Sequence, residues 1–113
     1  MIAINTEAAY DNNFYLIKNR NDPGNQLAWL EQELNEMEEN GETAILIGHH
    51  PVSSKCMLYE WSVRFRILMD RYQHIVRLSF FGHEHEEQYS AIRSWENNNS
   101  VGTIHWSGSV TTF

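Results

Sequence analysis

Residues 44–51 read Ala-Ile-Leu-Ile-Gly-His-His-Pro, and residues 78–85 read Leu-Ser-Phe-Phe-Gly-His-Glu-His. Each stretch is a short apolar run followed by a glycine and a histidine, which is typical of a buried strand that ends in a polar turn. Together they contain four of the six histidines of the chain. Neutral imidazole binds zinc and other divalent metals well, so histidines at two strand ends suggest a metal site.

The segment between these two stretches has the periodicity of a helix. The apolar residues that recur at helical spacing are Trp61, Phe65, Leu68, Met69 and Tyr72. A strand, a helix and a second strand in this order predict a right-handed crossover between parallel strands. Such a crossover brings the carboxyl ends of the two strands near each other.

Three histidines, His49, His83 and His85, are therefore predicted to converge where open α/β sheets bind ligands. In a regular strand His83 and His85 would point to the same face, so both could line one cavity if the extended conformation persists. Gly48 and Gly82 leave room for unusual backbone angles or for a ligand close to the backbone. The alternative for each single histidine is a surface or hydrogen-bonded residue that binds no metal.

His50 and His105 are the candidate substrate-binding residues. His50 follows a predicted metal ligand and could contact a substrate phosphate, although neighbouring side chains in a strand face opposite ways. His105 falls in a predicted strand, and the alternative there is a histidine that is simply hydrogen bonded.

At these residues the sequence resembles the calcineurin-like metallophosphoesterases, whose last two motifs have the form Gly-His-x-Pro and Gly-His-x-His. Beyond the motifs it is similar to the acid sphingomyelinase branch. Five segments have counterparts there in the same order: residues 13–17, 22–27, 71–72, 80–83 and 109–113. The resemblance implies part of the family's layered α/β sandwich, with a mixed sheet and two long outer helices.

The resemblance also implies a centre of two divalent metals, usually zinc, in which His49 and His83 bind one metal and His85 binds the other. The remaining ligands and the general-acid histidine of the family come from an Asp-x-His motif, an aspartate after a glycine, and a Gly-Asn-His-Glu motif. None of the three occurs in this sequence, so no catalytic residue is assigned. Three histidines alone could still hold a single zinc ion.

Residues 1–113 are accordingly expected to be the carboxyl-terminal part of a calcineurin-like phosphoesterase domain, as a fragment or a truncated gene product whose amino-terminal half is missing. By resemblance the substrate is a phosphodiester or a phospholipid. A full-length parent would be secreted or lysosomal by the same resemblance, whereas this chain alone leaves its location open.

Charge and hydropathy limit the possible partners. The formal net charge is −7, from 15 acidic and 8 basic residues, whereas nucleic-acid binding draws on clustered Lys and Arg. We therefore expect no nucleic-acid partner. We also expect no transmembrane segment, because no apolar stretch approaches the roughly 20 residues that span a bilayer.

The other elements are predicted from apolar runs and from the residues that begin and end helices. A helix is expected with Asp22 as its N-cap, Pro23 at its first position and Gly41 after its last turn. Apolar runs add four strands, of which the last two form a hairpin: residues 1–5, 14–17, 89–95 and 101–106.

The function predicted from the sequence is a sphingomyelinase-like, metal-dependent phosphodiester hydrolase segment that supplies three histidine ligands and is inactive as an isolated chain. One alternative is a non-catalytic metal-binding or interaction module descended from such an enzyme. A second alternative is an inert fragment with no independent fold.

Overall fold

A computed structural model describes residues 1–18, 20–52 and 55–110. The elements are β1 Ile2–Ala3, α1 Gln26–Glu39, β2 Ala44–Ile47, α2 Tyr59–Arg71, β3 Val76–Phe81, β4 Gln88–Arg93 and β5 Ser100–Trp106. The strands form one sheet in the order β1-β2-β3-β5-β4, in which neighbouring strands are parallel except β4 and β5. The predicted mixed α/β sheet with two long helices is confirmed.

The two helices cover the same face of the sheet. Helix α1 connects β1 to β2 and helix α2 connects β2 to β3, so both crossovers step in the same direction across the sheet. Right-handed crossovers of this kind place their helices on one side, and α1 and α2 contact each other. The fully buried centre of the resulting core includes Leu30, Leu34, Leu46, Trp61 and Phe65.

The opposite face of the sheet is open to solvent. The strand register places Ile47, Phe80, His105 and Tyr89 in one row across β2, β3, β5 and β4. Phe80 is 44% exposed and Tyr89 is 78% exposed. The described residues therefore form a two-layer structure of helices on a sheet, with an apolar sheet face left uncovered.

Helix α1 begins later than the sequence predicts. Residues 23–25 form a 3₁₀ turn in which Gly24 has a φ of 72°, and this left-handed residue separates Pro23 from the α-helix. Asp22 caps α1 nonetheless, because its carboxylate accepts a hydrogen bond from the Leu27 backbone N–H at 2.9 Å. The cap reaches across the turn to the first helical residues.

The strand predicted at residues 14–17 is wrong. Phe14–Ile17 form a 3₁₀ turn, and only Leu16 among them is buried. The Asn13 side chain accepts a hydrogen bond from the Tyr15 backbone N–H at 3.0 Å, and the Asn13 carbonyl accepts one from the Leu16 N–H at 3.0 Å. Since these bonds satisfy the backbone locally, the segment does not need a neighbouring strand.

The first strand and the hairpin are confirmed with changed bounds. The first strand covers two of the five predicted residues. In the hairpin, β4 begins one residue earlier and ends two residues earlier than predicted, β5 begins one residue earlier, and the two strands pair antiparallel. The resemblance noted at residues 109–113 lies partly outside the described residues. Within the ranges that the structure describes, no helix is both long enough and apolar enough to cross a membrane.

Candidate metal centre

His49 and His83 lie just beyond the carboxyl ends of two adjacent parallel strands, β2 and β3. The backbone pairing of these strands continues past their ends, because the Gly48 N–H donates to the Phe80 carbonyl at 3.0 Å and the Gly82 N–H donates to the His49 carbonyl at 2.9 Å. This pairing holds the two histidine segments side by side. Their rings meet, with 3.3 Å between His83 Nδ1 and His49 Nε2.

The backbone does not stay extended through the second histidine motif. The φ angles are +73° at His83 and +58° at His85, so the assumption of a regular strand at these residues is wrong. Side chains therefore do not alternate between two faces here as they would in a strand. Left-handed backbone at residues other than glycine is uncommon and concentrates at functional sites.

Three imidazoles gather at this edge of the sheet. His49, His50 and His83 each offer a ring nitrogen, and these nitrogens all lie within 4.8 Å of one another. Two of the three ligands predicted from the sequence are thus brought together. The third member, His50, is the residue for which the sequence predicted a substrate contact.

The group of His49, His50 and His83 does not include His85 or His105. His85 is exposed, and its carbonyl accepts a hydrogen bond from the Ser109 N–H at 3.3 Å. His105 lies in β5, where its Nε2 is 3.0 Å from Thr103 Oγ1. In the structure His105 is therefore a hydrogen-bonded strand residue, which was the alternative considered for it.

His50 is buried, with 2% of its surface exposed. Its Nε2 is 2.8 Å from Glu7 Oε1, and its backbone N–H donates to Thr6 Oγ1 at 2.7 Å. One side of its ring stacks on Tyr10, with centroids 4.1 Å apart and planes 13° apart. The centroid of the His83 ring lies 3.8 Å from that of His50.

Burial holds the pKa of His50 below its usual value, because desolvation disfavours the imidazolium form. Positive charge on His83 lowers the pKa further, whereas the Glu7 carboxylate acts in the opposite direction. The net effect favours neutral imidazole at position 50, which is the form that binds metals.

Three residues that contact His50 were not predicted from the sequence: Glu7, Thr6 and Tyr10. All three come from the 3₁₀ turn at Thr6–Ala9 and the residue after it, far from the histidine motifs along the chain. Nothing in the spacing of these residues indicates contact with His50. The parallel pairing of β1 with β2 and the bridge between Tyr10 and Met57 bring the two segments together.

The donor set fits a divalent ion that prefers nitrogen ligands. Two nitrogens bound tetrahedrally to zinc at about 2.0–2.1 Å are roughly 3.3 Å apart, which matches the His49–His83 separation of 3.3 Å. His50 adds an observation of its own, because its Nδ1 is buried and has no hydrogen-bond partner in the described part of the chain. Buried polar atoms are normally paired, so an unpaired ring nitrogen in a histidine group fits a ligand atom.

The fold and this histidine group agree with a comparison against protein families. The sequence model of the calcineurin-like phosphoesterases matches residues 5–87, which contain both histidine motifs, both helices and the strands β2 and β3. The chain belongs to the calcineurin-like phosphoesterase family. Within it, the most similar proteins place the chain in the acid sphingomyelinase-like branch.

Several relatives align with the chain over most of its length. Sphingomyelin phosphodiesterase 2 of Caenorhabditis elegans is 33% identical over 100% of the chain and 19% of its own length. The sphingomyelin phosphodiesterase of Homo sapiens is 34% identical over 81% of the chain and 14% of its own length. The cyclic GMP-AMP phosphodiesterase SMPDL3A of Rattus norvegicus is 28% identical over 98% of the chain and 26% of its own length. The chain therefore spans about a quarter or less of these relatives.

Proposed function

We propose that this chain is the carboxyl-terminal part of a metal-dependent phosphodiesterase domain and supplies histidine ligands to its metal centre. The observation that carries the proposal is the 3.3 Å approach of the His49 and His83 rings, beyond the ends of adjacent parallel strands. The relatives named above act on sphingomyelin or on cyclic GMP-AMP. Both are phosphodiesters, so we assign that bond, rather than either molecule, as the substrate class.

We assign His49 and His83 to one metal ion and His85 to a second. The grouping of His49 with His83, and the position of His85 outside that group, support this division. Zinc is the ion we propose, because imidazole is a favourable ligand for it. Bound metal would supply polarisation of a phosphoryl oxygen. Substrate contact by His105 stays a prediction.

We further propose that a missing amino-terminal half of the domain covers the open face of the sheet. Ile45, Leu78 and Phe80 are each between 37% and 44% exposed on adjacent strands of that face. Monomeric proteins rarely leave a contiguous apolar patch of this kind uncovered. The relatives, of whose length the chain spans about a quarter or less, contain ample sequence to form a second layer.

The isolated chain is proposed to be inactive. Its sequence contains no Asp-x-His and no Gly-Asn-His-Glu motif. In the family these motifs supply the other metal ligands and the acid that protonates the leaving group, so a separate segment would have to provide them. Loss of general acid catalysis alone typically lowers a rate by about 10²–10⁴-fold. Metal binding and turnover are therefore separable properties of this chain.

Isothermal titration calorimetry of the purified chain with zinc chloride tests the metal site. We expect saturable binding by the parent and a loss of at least roughly 100-fold in affinity for His83→Ala, since loss of a residue that only supports a ligand already costs 10–100-fold. His74→Ala is the matched control, because His74 pairs with Glu38 at 2.7 Å and lies outside the histidine group. Equal affinities for the parent and His83→Ala would overturn the proposal.

A further inference from the structure

We infer that His50 is a third ligand of the metal ion held by His49 and His83, and that it binds through Nδ1 while Glu7 fixes its ring. This inference rests on the proposed function for the presence of a metal at His49 and His83. The inference goes beyond the proposed function, because it assigns a metal ligand to the variable position of the Gly-His-x-Pro motif. The site would take one divalent ion with three imidazoles, leaving a tetrahedral position open.

The contact with Glu7 determines the tautomer of His50. Glu7 Oε1 lies 2.8 Å from His50 Nε2, and an ionised carboxylate can only accept a hydrogen bond. Nε2 must therefore carry the hydrogen. In a neutral ring, Nδ1 then has the free lone pair that a metal requires.

The environment of the Nδ1 lone pair supports the same assignment. Nδ1 of His50 is buried without a hydrogen-bond partner in the residues that the structure describes. An ordinary structural histidine would satisfy this atom with a donor. A carboxylate on one ring nitrogen and a metal on the other is the arrangement by which proteins orient histidine ligands, and Glu7 and Nδ1 fit those two roles.

The position of the His50 ring is fixed by its neighbours. Thr6 Oγ1 accepts the His50 backbone N–H at 2.7 Å, and Tyr10 stacks on the ring, so His50 is held in place by its neighbours. His49 is exposed and His83 is partly exposed, so their rings are freer to move. Reorientation of these two rings would bring one nitrogen of each to about 3.3 Å from His50 Nδ1, as tetrahedral coordination requires.

The competing role for His50 is that of an aromatic spacer between Tyr10 and His83. His50→Phe separates the two roles, because phenylalanine keeps an aromatic ring at this position but has no nitrogen. His74→Phe is the matched control for the same substitution at an exposed histidine outside the group. Glu7→Gln keeps an acceptor for the Nε2 hydrogen but removes the negative charge.

The measurements are zinc affinity by titration calorimetry and the number of bound imidazoles by X-ray absorption at the zinc edge. We expect three imidazoles in the parent and two in His50→Phe, with at least a roughly tenfold lower affinity. Glu7→Gln should keep three imidazoles and bind zinc more weakly, and His74→Phe should match the parent.

These measurements distinguish a failure of the His50 assignment from a failure of the proposed function. Parent-like affinity and an unchanged imidazole count in His50→Phe would overturn the inference, while the effect of His83→Ala would still support the metal site. Should His50→Phe not fold, a count of two imidazoles in the folded parent would overturn the inference without it. Zinc binding that survives His83→Ala would instead overturn the proposed function.

Discussion

Gly48 allows the first histidine motif to pack against the sheet. A Cβ atom at this position would lie 2.7 Å from Phe81 Cε1 and 3.1 Å from Thr6 Cγ2. Real Cβ atoms essentially never approach another atom as closely as 2.7 Å, so the Phe81 ring would have to move, and the 3.1 Å contact would also require Thr6 to shift by a few tenths of an ångström. Both border the histidine group, since Thr6 binds the His50 backbone and Phe81 directly precedes the second motif.

We predict that Gly48→Ala destabilises the protein by about 1–3 kcal/mol, the usual cost of adding a methyl group to a well-packed site. The measurement is the free energy of unfolding in urea. Gly82→Ala is the matched control, because its added Cβ would come no closer than 3.8 Å to His49 Nδ1. The control should change stability by about 0.5 kcal/mol or less, and equal effects of the two substitutions would refute the packing argument.

At the candidate site, the sequence predicted the residues that follow strand ends and missed those that depend on tertiary contact. His49 and His83 were identified because glycine and histidine after an apolar run mark the end of a buried strand. The same-face prediction for His83 and His85 failed because both have a positive φ, which no local pattern indicates. The Glu7–His50 contact joins segments that are distant in sequence, and periodicity carries no information on such pairs.

Among the secondary-structure elements, helix α1 ends just before Gly41 as predicted, and its last turn is linked to the last residue of α2. Gly41 has a φ of 67°, and the Glu42 N–H donates to the Met37 carbonyl at 2.8 Å, which is the bond of a Schellman motif. Near this end, Arg71 binds the Glu38 carboxylate through two nitrogens at 2.9 and 2.7 Å.

The hydrogen bonds from Arg71, followed by that from His74, lower the pKa of Glu38 to about 2. Because this value lies below the ordinary 4.5, the Glu38 carboxylate contributes its stabilisation fully above about pH 4.5 and loses it as the pH falls toward 2. We therefore predict that Glu38→Gln lowers the thermal unfolding midpoint at pH 7. The difference from the parent should shrink progressively as the pH is lowered from 4.5 to 2.

Glu39→Gln is the control for this prediction, since it makes the same change of charge at an exposed neighbouring residue of α1. It should move the midpoint at pH 7 less than Glu38→Gln does. The effect of Glu38→Gln should also decrease in high salt, because the partners are partly exposed. A pH-independent difference between Glu38→Gln and the parent would contradict the assigned ion pair.

The sequence predicted elements with strong periodicity better than short ones. The crossover from β2 through α2 to β3 followed from helical spacing over residues 61–72 and from the handedness rule for parallel strands. The run at 14–17 was misassigned because four apolar residues suit a strand or a turn equally, and the Asn13 side chain decides between them. Short runs lack the length over which a period can be measured.

For the molecule as a whole, the arrangement of helices and sheet is one-sided. Helices α1 and α2 cover one face, while the other exposes a row of side chains that includes Phe80 and Tyr89. The histidine group lies at one end of the same sheet, at the carboxyl ends of β2 and β3. A second layer that covered the open face would also be placed to contribute further groups to that end.

We propose that the chain completes a metal-dependent phosphodiesterase centre when it is joined to an amino-terminal half. The most direct test is hydrolysis of bis(p-nitrophenyl) phosphate by the chain alone, and by the chain combined with the corresponding amino-terminal portion of a related sphingomyelin phosphodiesterase. Our prediction is no metal-dependent turnover by the chain alone, chelator-sensitive turnover by the combination, and loss of that turnover with His85→Ala. Robust chelator-sensitive turnover by the 113-residue chain alone, or a combination that is unaffected by His85→Ala, would contradict it.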